Sequence, residues 1–313
     1  MDLRQLNALI AVSDHGSFSR AARALYTVQS NVSAHVARLE QELGVVLVDR
    51  SRGALTAAGA IVVERARRIG RELEAIGTDV AALDHEVAGT TRIGVIGTTG
   101  RWLVPQLLEV LRARHPNIRT LVLEASTSSL VPQLVAGELD VAVVAMSRPH
   151  PEIDAQVLFD EDLVALVHES HPLAGRLTTT LAELTEHRLL LSPPGTSIRD
   201  ELEEVARRDG ITLDPVAEVD GGRLLSSLAF EGLGVAIAPA TSVPGWLKGP
   251  FARVEITGLP RRRVELARRR RAVLSAPSEA LVQVLHEVIL ERGPRQPGVH
   301  LTEALAPSSI VGV

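Results

Sequence analysis

Cysteine is absent from the 313 residues. That removes disulfides, thiolate-held zinc, cysteine nucleophiles and thiol redox sensing from the chemistry the chain can perform. Lysine is nearly absent too: Lys248 stands alone, so arginine supplies almost all the positive charge, a compositional bias of the source rather than a chemical signature. No uninterrupted apolar run approaches the roughly 18 residues of a membrane span. The opening MDLRQLNALI carries an acid and leads straight into a helical pattern, unlike a secretory leader. The expectation is a cytoplasmic protein with no membrane partner. Catalytic signatures are missing as well: there is no G-x-S-x-G, no H-E-x-x-H and no G-x-x-x-x-G-K-[ST], and GVIGTTG at 94–100 lacks dinucleotide spacing. No catalytic residue, metal or cofactor is expected.

What is present suits a soluble globular protein with room for more than one domain: 45% hydrophobic and 23% charged residues. The net charge of -5 does not advertise nucleic acid, and residues 1–57 carry six arginines against five acids. One excess charge is a weak footprint, so any DNA affinity would depend on where the arginines point and on pairing two copies.

Residues 17–47 read as two short helical patterns meeting at a turn. Ser17 is a good N-cap, and Ala21, Ala22 and Leu25 share a face behind it. The turn falls around Tyr26 and Thr27. Val32, Val36, Leu39 and Leu43 then recur on one stripe, and Gly44 closes the helix. The opposite face carries Ser30, Ala34, Ala37 and Gln41, flanked by Asn31, Ser33 and Arg38. Such a face fits a major groove, and it fits equally a solvated side of an ordinary amphipathic helix. A helix over 2–13 packs behind this pair, with Leu3, Leu6, Leu9 and Ile10 inward. Residues 45–59 suggest a hairpin wing that places Arg50 and Arg52 near phosphates.

From 57 to 87 the pattern is one long helix. Val62, Ala66, Ile69, Leu73, Ile76, Val80, Leu83 and Val87 alternate steps of four and three, a heptad seam that favours a coiled-coil partner over a core contact. Beyond Gly89, strands alternate with helices, which implies mostly parallel sheets in two α/β lobes around a cleft. The first lobe is expected at 89–160 and 268–293, the second at 161–267. Arginine clusters at 261–263 and 268–271 read as a solvated strand edge and crossover loop rather than a second nucleic-acid patch. Residues 294–313 read as a flexible tail.

The chain resembles the LysR-type transcriptional regulators. The resemblance rests on GSFSRAARAL at 16–25, QSNVSAHVARLEQELGVVLVDR at 29–50, LTAAG at 55–59 and VAGELDVAVV at 135–144, with weaker support from PGTS at 194–197 and GLGVAIAP at 232–239. It covers nearly everything but the tail. It implies a winged helix-turn-helix at 1–58, a dimerising linker helix at 59–88 and a two-lobed effector domain at 89–293 similar to periplasmic solute-binding proteins. The implied partners are double-stranded operator DNA, a small-molecule effector, further copies in a dimer and tetramer, and RNA polymerase.

Gln29, Ser30 and Ser33 match positions that commonly meet DNA, and Asn31, Arg38, Arg50 and Arg52 join them as candidates. Ala34 stands where many relatives carry arginine, the wing SRGALT is short and weakly basic, and Val48 replaces a common phenylalanine. The effector positions carried over are Thr98, Thr99, Ser126, Thr127, Met146, His168, Thr196, Ser197 and Asp220. Hydroxyls and free N–H groups at helix starts suit a carboxylate or other small anion. The threonines read equally as N-caps, whereas His168 reads first as a satisfied structural histidine and Met146 first as a packing residue. Ile69, Leu73, Ile76, Val80 and Leu83 are the expected dimer seam. The competing readings are a solute-binding protein and an α/β enzyme whose first domain does not read DNA.

Overall fold

The structure is a computed structural model that describes residues 1–50, 52–84 and 86–302. It divides into two compact units, Met1–Asp79 and Val80–Val313.

The first unit is built on three helices, α1 (Leu3–His15), α2 (Phe18–Ala24) and α3 (Gln29–Leu43). Local chemistry sets their limits. Asp2 and Gln5 form a reciprocal capping box at the start of α1. Ser17 accepts from the Arg20 amide to cap α2. Gly16 and Gly44 end α1 and α3 with φ of 65° and 69°, conformations that a side chain would strain. Leu6, Leu9, Val12, Ala21, Val32, Val36 and Leu39 interlock into one core. Leu3 and Leu43, expected on its stripes, stay exposed at the helix ends.

Two short antiparallel strands follow, β1 (Val48–Asp49) and β2 (Ala54–Leu55). They form the wing. The Glu40 carboxylate accepts from the amides of Leu47 (2.8 Å) and Val48 (3.2 Å), which ties the wing to α3.

The long helix α4 (Ala57–Asp84) begins against this core. A side chain at Gly59 would lie 2.0 Å from the Leu47 carbonyl oxygen, so glycine is required for the approach. Val63 and Ala66 are buried in the first-unit core with Val62 beside them. The expected seam therefore splits: its first two positions belong to the core, while Ile69, Leu73, Ile76, Val80 and Leu83 remain exposed.

The second unit holds two six-stranded sheets. Its elements in order are β3 (Gly89–Val95), α5 (Gly97–Arg114), β4 (Ile118–Glu124), α6 (Thr127–Val135), β5 (Val141–Val144), β6 (Ile153–Glu161), β7 (Leu163–His168), β8 (Thr178–Thr180), α7 (Leu181–Leu184), β9 (Leu189–Leu191), α8 (Ser197–Asp209), β10 (Pro215–Glu218), α9 (Gly222–Phe230), β11 (Val235–Pro239), β12 (Phe251–Thr257), β13 (Arg262–Arg269), α10 (Ala276–Arg292) and β14 (Val299–Leu301). The first sheet runs β14-β6-β13-β5-β3-β4 and the second β10-β9-β11-β7-β12-β8. Each has its own apolar core; Leu103, Leu107, Phe159 and Leu285 lie in the first, and Leu184, Leu191, Leu202 and Ile237 in the second.

The backbone crosses between the sheets at Asp162 and again between Thr257 and Arg262. Three expectations are corrected here. The return crossing comes before Arg262 rather than after residue 267, because β13 pairs along its whole length with β6. β13 is also an interior strand, flanked by β6 and β5, not a sheet edge. Its first arginines alternate: Arg262 points into the protein and Arg263 out to Asp160, while Arg261 just before the strand and Arg270 just after it ion-pair with Asp162 and Asp154. The tail, finally, is ordered to Leu301. β14 adds to the edge of β6, Gly298 accepts from the Asp162 amide at 2.8 Å, and His300 Nε2 lies 2.8 Å from Asp162 Oδ2. The remainder of that expected tail, 303–313, lies outside the described residues.

Candidate functional site

The first unit offers one polar face. Gln29, Ser30, Asn31 and Arg38 are exposed along α3, which starts at Val28 without a side-chain cap. Several of these groups already have partners in the unbound chain. Ser19 donates to Gln29 (2.8 Å), Asn31 donates to the Thr27 hydroxyl (3.0 Å), and Arg50 donates to Ser33 (3.3 Å). Arg50 also lies 3.5 Å from Glu40 and stacks 5.5 Å from the Phe18 ring, which makes it the brace of the wing. Arg52 pairs with Asp49 at 3.7 Å and is otherwise open to solvent. Ser30 and Arg38 project without any such tether among the described residues.

In the second unit, the parallel strands of both sheets end on a common cleft of about 710 Å³. β3, β4 and β5 deliver Thr98, Ser126, Thr127 and Met146 to it from one side, and the ends of β9 and β10 deliver Thr196, Ser197 and Asp220 from the other. Seven of the nine expected effector positions therefore meet in one cavity. Two do not.

Thr99 is fully buried beneath the cleft wall, because it follows Thr98 by one helical step and its side chain turns into the core. His168 lies outside the cavity. β7 runs antiparallel to β11, so the strand that leaves the crossing at Leu163 carries His168 to the opposite end of the sheet, beside Gly232 and bonded to Ser170 at 2.7 Å. The threonines are also not caps: α5 starts after Ile96 and holds both within its first turn.

The electrostatics favour an anion. α5, α6 and α9 all open onto the cleft without a side-chain cap on their first N–H groups, whereas Thr196 caps α8. Such helix starts carry partial positive charge and unused donors. Gly222 can begin α9 here because a side chain would come within 2.9 Å of Thr98.

Arg262 is the residue that sequence reasoning missed. It is 5% exposed, lines the cleft floor, and donates to Thr98 Oγ1 at 3.3 Å. Its Nε and the Oγ of nearby Ser242 are buried without a partner among the described residues. Behind it, the fully buried Glu161 lies 3.5 Å from the guanidinium and accepts from the amide and hydroxyl of Thr241. Burial pushes the Glu161 carboxyl upward, opposed by Arg262 and then by Thr241. A signal for Arg262 existed in the sequence: residues 262, 264 and 266 alternate as Arg, Val and Leu, which places Arg262 on the apolar face of a strand.

Two further contacts cross the cleft mouth. Arg223 donates to both oxygens of Glu124 at 3.2 Å, and Ser147 donates to Asp200 at 3.3 Å.

Glu201 on α8 also feels the Arg262 charge, yet burial dominates and lifts its carboxyl from 4.5 to about 7. The folded chain therefore holds this proton where the unfolded chain has lost it, so stability falls as pH rises from 4.5 to about 7 and is flat above. Glu201→Gln should raise the melting temperature at pH 8 and leave it nearly unchanged at pH 4.5. Paired thermal melts check this; an equal shift at both pH values would remove Glu201 as the titrating group.

Comparison with known proteins agrees with both units. Residues 3–60 match the bacterial regulatory helix-turn-helix protein, lysR family, and residues 84–289 match the LysR substrate binding domain. A probable hydrogen peroxide-inducible genes activator of Streptomyces viridosporus is 33% identical over 297 residues, covering 92% of this chain and 94% of its own. Among solved structures, a full-length OxyR variant from Pseudomonas aeruginosa has a TM-score of 0.72 at 26% identity, covering 92% and 94% of the two chains. CbnR complexed with its target DNA has a TM-score of 0.69 at 27% identity, covering 92% and 100%.

Proposed function

Because the chain belongs to the LysR family of DNA-binding transcriptional regulators, we propose that it reads its operator as a dimer and answers to a small carboxylate or similar oxyanion held in the second-unit cleft. In this reading Ser30, Ser33, Gln29 and Asn31 meet the groove, and Arg38, Arg50 and Arg52 meet phosphates. Those groups that are tethered in the unbound chain exchange one polar partner for another on binding. The exposed stripe Ile69, Leu73, Ile76, Val80 and Leu83 pairs two copies of α4. Such a protein works in the cytoplasm, beside its DNA and RNA polymerase, and its cleft binds rather than catalyses.

The observation that carries the effector class is the convergence of three uncapped helix starts and the buried Arg262 on one cavity. Thr98, Ser126, Thr127, Thr196 and Ser197 supply neutral hydroxyls around them, and Asp220 favours a ligand with a donor at its far end.

The relatives named for peroxide do not transfer their signal to this chain. A thiolate is the side chain that peroxide oxidises fastest, and there is none. Apart from Met1, the thioether of Met146 in the cleft is the only sulfur.

Calorimetry on the full chain with a panel of small mono- and dicarboxylates tests the proposal. At least one acid should bind with a Kd between about 1 μM and 1 mM and its methyl ester at least about tenfold more weakly. Binding confined to uncharged apolar compounds would refute it. Treatment with dilute hydrogen peroxide should leave DNA retention unchanged.

A further inference from the structure

The chain has one tyrosine, and it stands 97% exposed at the turn between α2 and α3. Its backbone is left-handed, with φ of 52°. Glycine or asparagine adopts that region easily, whereas a bulky side chain is strained there. Only one other described non-glycine residue, Arg271, shares a positive φ. The Tyr26 amide donates to the Arg23 carbonyl, which completes the turn without using the ring or the hydroxyl. Nothing inside the protein accounts for a tyrosine at this position: the side chain packs on no core, and its hydroxyl has no partner among the described residues. The left-handed backbone itself closes α2, since the Thr27 amide donates to the Ala22 carbonyl at 2.9 Å. Glycine or asparagine would serve that closure with less strain, so an exposed tyrosine kept there points outward, to something the residue touches when the protein works.

The surroundings narrow the choice. Tyr26 precedes the recognition helix by three residues, beside the exposed start of α3 at Val28 and Gln29. Arg23, exposed on the last turn of α2, supplies a cation less than one helical turn away. In helix-turn-helix readers the start of the second helix reaches base edges while the preceding helix crosses the sugar-phosphate backbone. The geometry points to Tyr26 as a backbone clamp: its phenolic O–H donates to a phosphate oxygen at the groove edge and its ring covers the adjoining deoxyribose, with Arg23 meeting the same or the next phosphate. The contact is independent of sequence, since phosphate and sugar carry no base information. It gives a head with little net charge an anchor that does not depend on charge.

The test uses the full-length chain, a duplex from the promoter region beside its own gene, and a random duplex of equal length. Tyr26→Phe keeps the ring and the backbone and removes only the hydroxyl. It should weaken binding to both duplexes by about three- to tenfold. The melting temperature and the slope of log affinity against log salt should stay at their wild-type values. Arg23→Ala, by contrast, should lower that slope by about one. Tyr26→Asn, which relaxes the left-handed turn, should raise the melting temperature while it too weakens binding. Opposite signs for stability and affinity separate a contact from a folding role. Wild-type affinity in Tyr26→Phe, a loss confined to the promoter duplex, or a loss that follows a lowered melting temperature would each overturn the assignment. None of these outcomes touches the membership of the first unit in its family, because wild-type retention on DNA is measured in the same experiment.

Discussion

Leu73→Glu combined with Leu83→Glu should turn the protein into a monomer at micromolar concentration and weaken operator binding by about 10²- to 10⁴-fold, the usual gain from tethering two reading heads. Leu73 and Leu83 are 45% and 82% exposed on α4 and belong to none of the apolar cores, so the substitutions leave those cores intact. Two apolar side chains lost from each helix, and four carboxylates brought together in a paired seam, oppose association on both counts. The monomer should keep the fold of the first unit, because its core contacts at Val63 and Ala66 do not involve the altered positions, while melting lower than the dimer by the stabilisation that association supplies. Residual binding should also show about half the wild-type salt dependence, since half the phosphates are contacted. Sedimentation velocity and a gel-shift titration read both quantities. A monomer that retains wild-type affinity would remove the coiled-coil step and leave the exposed stripe unexplained.

Arg262→Met should lower the melting temperature of the second unit and abolish its response to carboxylates. Removing the cation leaves Glu161 buried with only Thr241 as a partner. Breaking a buried pair from one side typically costs about 3–5 kcal/mol, although Glu161 limits the loss by keeping its proton. At about 2–4 °C per kcal/mol for a unit of this size, the melting temperature should fall by at most about 6–20 °C. The double variant Glu161→Gln with Arg262→Met removes both charges and should recover most of the stability, because Thr241 can still donate to the amide oxygen. It should not recover carboxylate binding. That split between stability and binding is the deciding result: carboxylate affinity restored in the double variant would show that Arg262 only holds the crossing together.

Much of the architecture was legible because helical and strand periods survive in the sequence. Ser17 and Gly44 act where cap chemistry requires them, and the heptad positions from Ile69 onward do stay off the core. β6 escaped notice. Residues 153–161 mix Asp154, Gln156, Asp160 and Glu161 with apolar residues, and the strand lies between β14 and β13 in the sheet without a clean alternation of buried and exposed positions. Tertiary pairing overrides pattern there.

The cleft residues were half legible for a related reason. Hydroxyls at strand ends can be spotted locally, but direction within the sheet cannot. The second lobe is entered at the cleft side, so its first strand must run away from the ligand, and His168 is lost from the site by topology alone. Arg262 was hidden by its neighbours: in a run of three arginines the solvated reading is natural, and only the two-residue period of β13 separates the middle one. Tyr26 was placed correctly in a turn, but its left-handed backbone is a property of the folded turn that no local pattern announces.

The strand β14 has a practical consequence for anyone who cuts the chain. The family match ends at residue 289, whereas the first sheet of the second unit ends at Leu301. An effector fragment trimmed to the family boundary would bare the edge of β6 along Phe159, Asp160 and Glu161, whose backbones Val299, His300 and Leu301 cover here. Unpaired edges invite pairing with other chains. Such a fragment should self-associate through a surface the intact protein does not present, and a binding isotherm measured on it would describe an artificial oligomer.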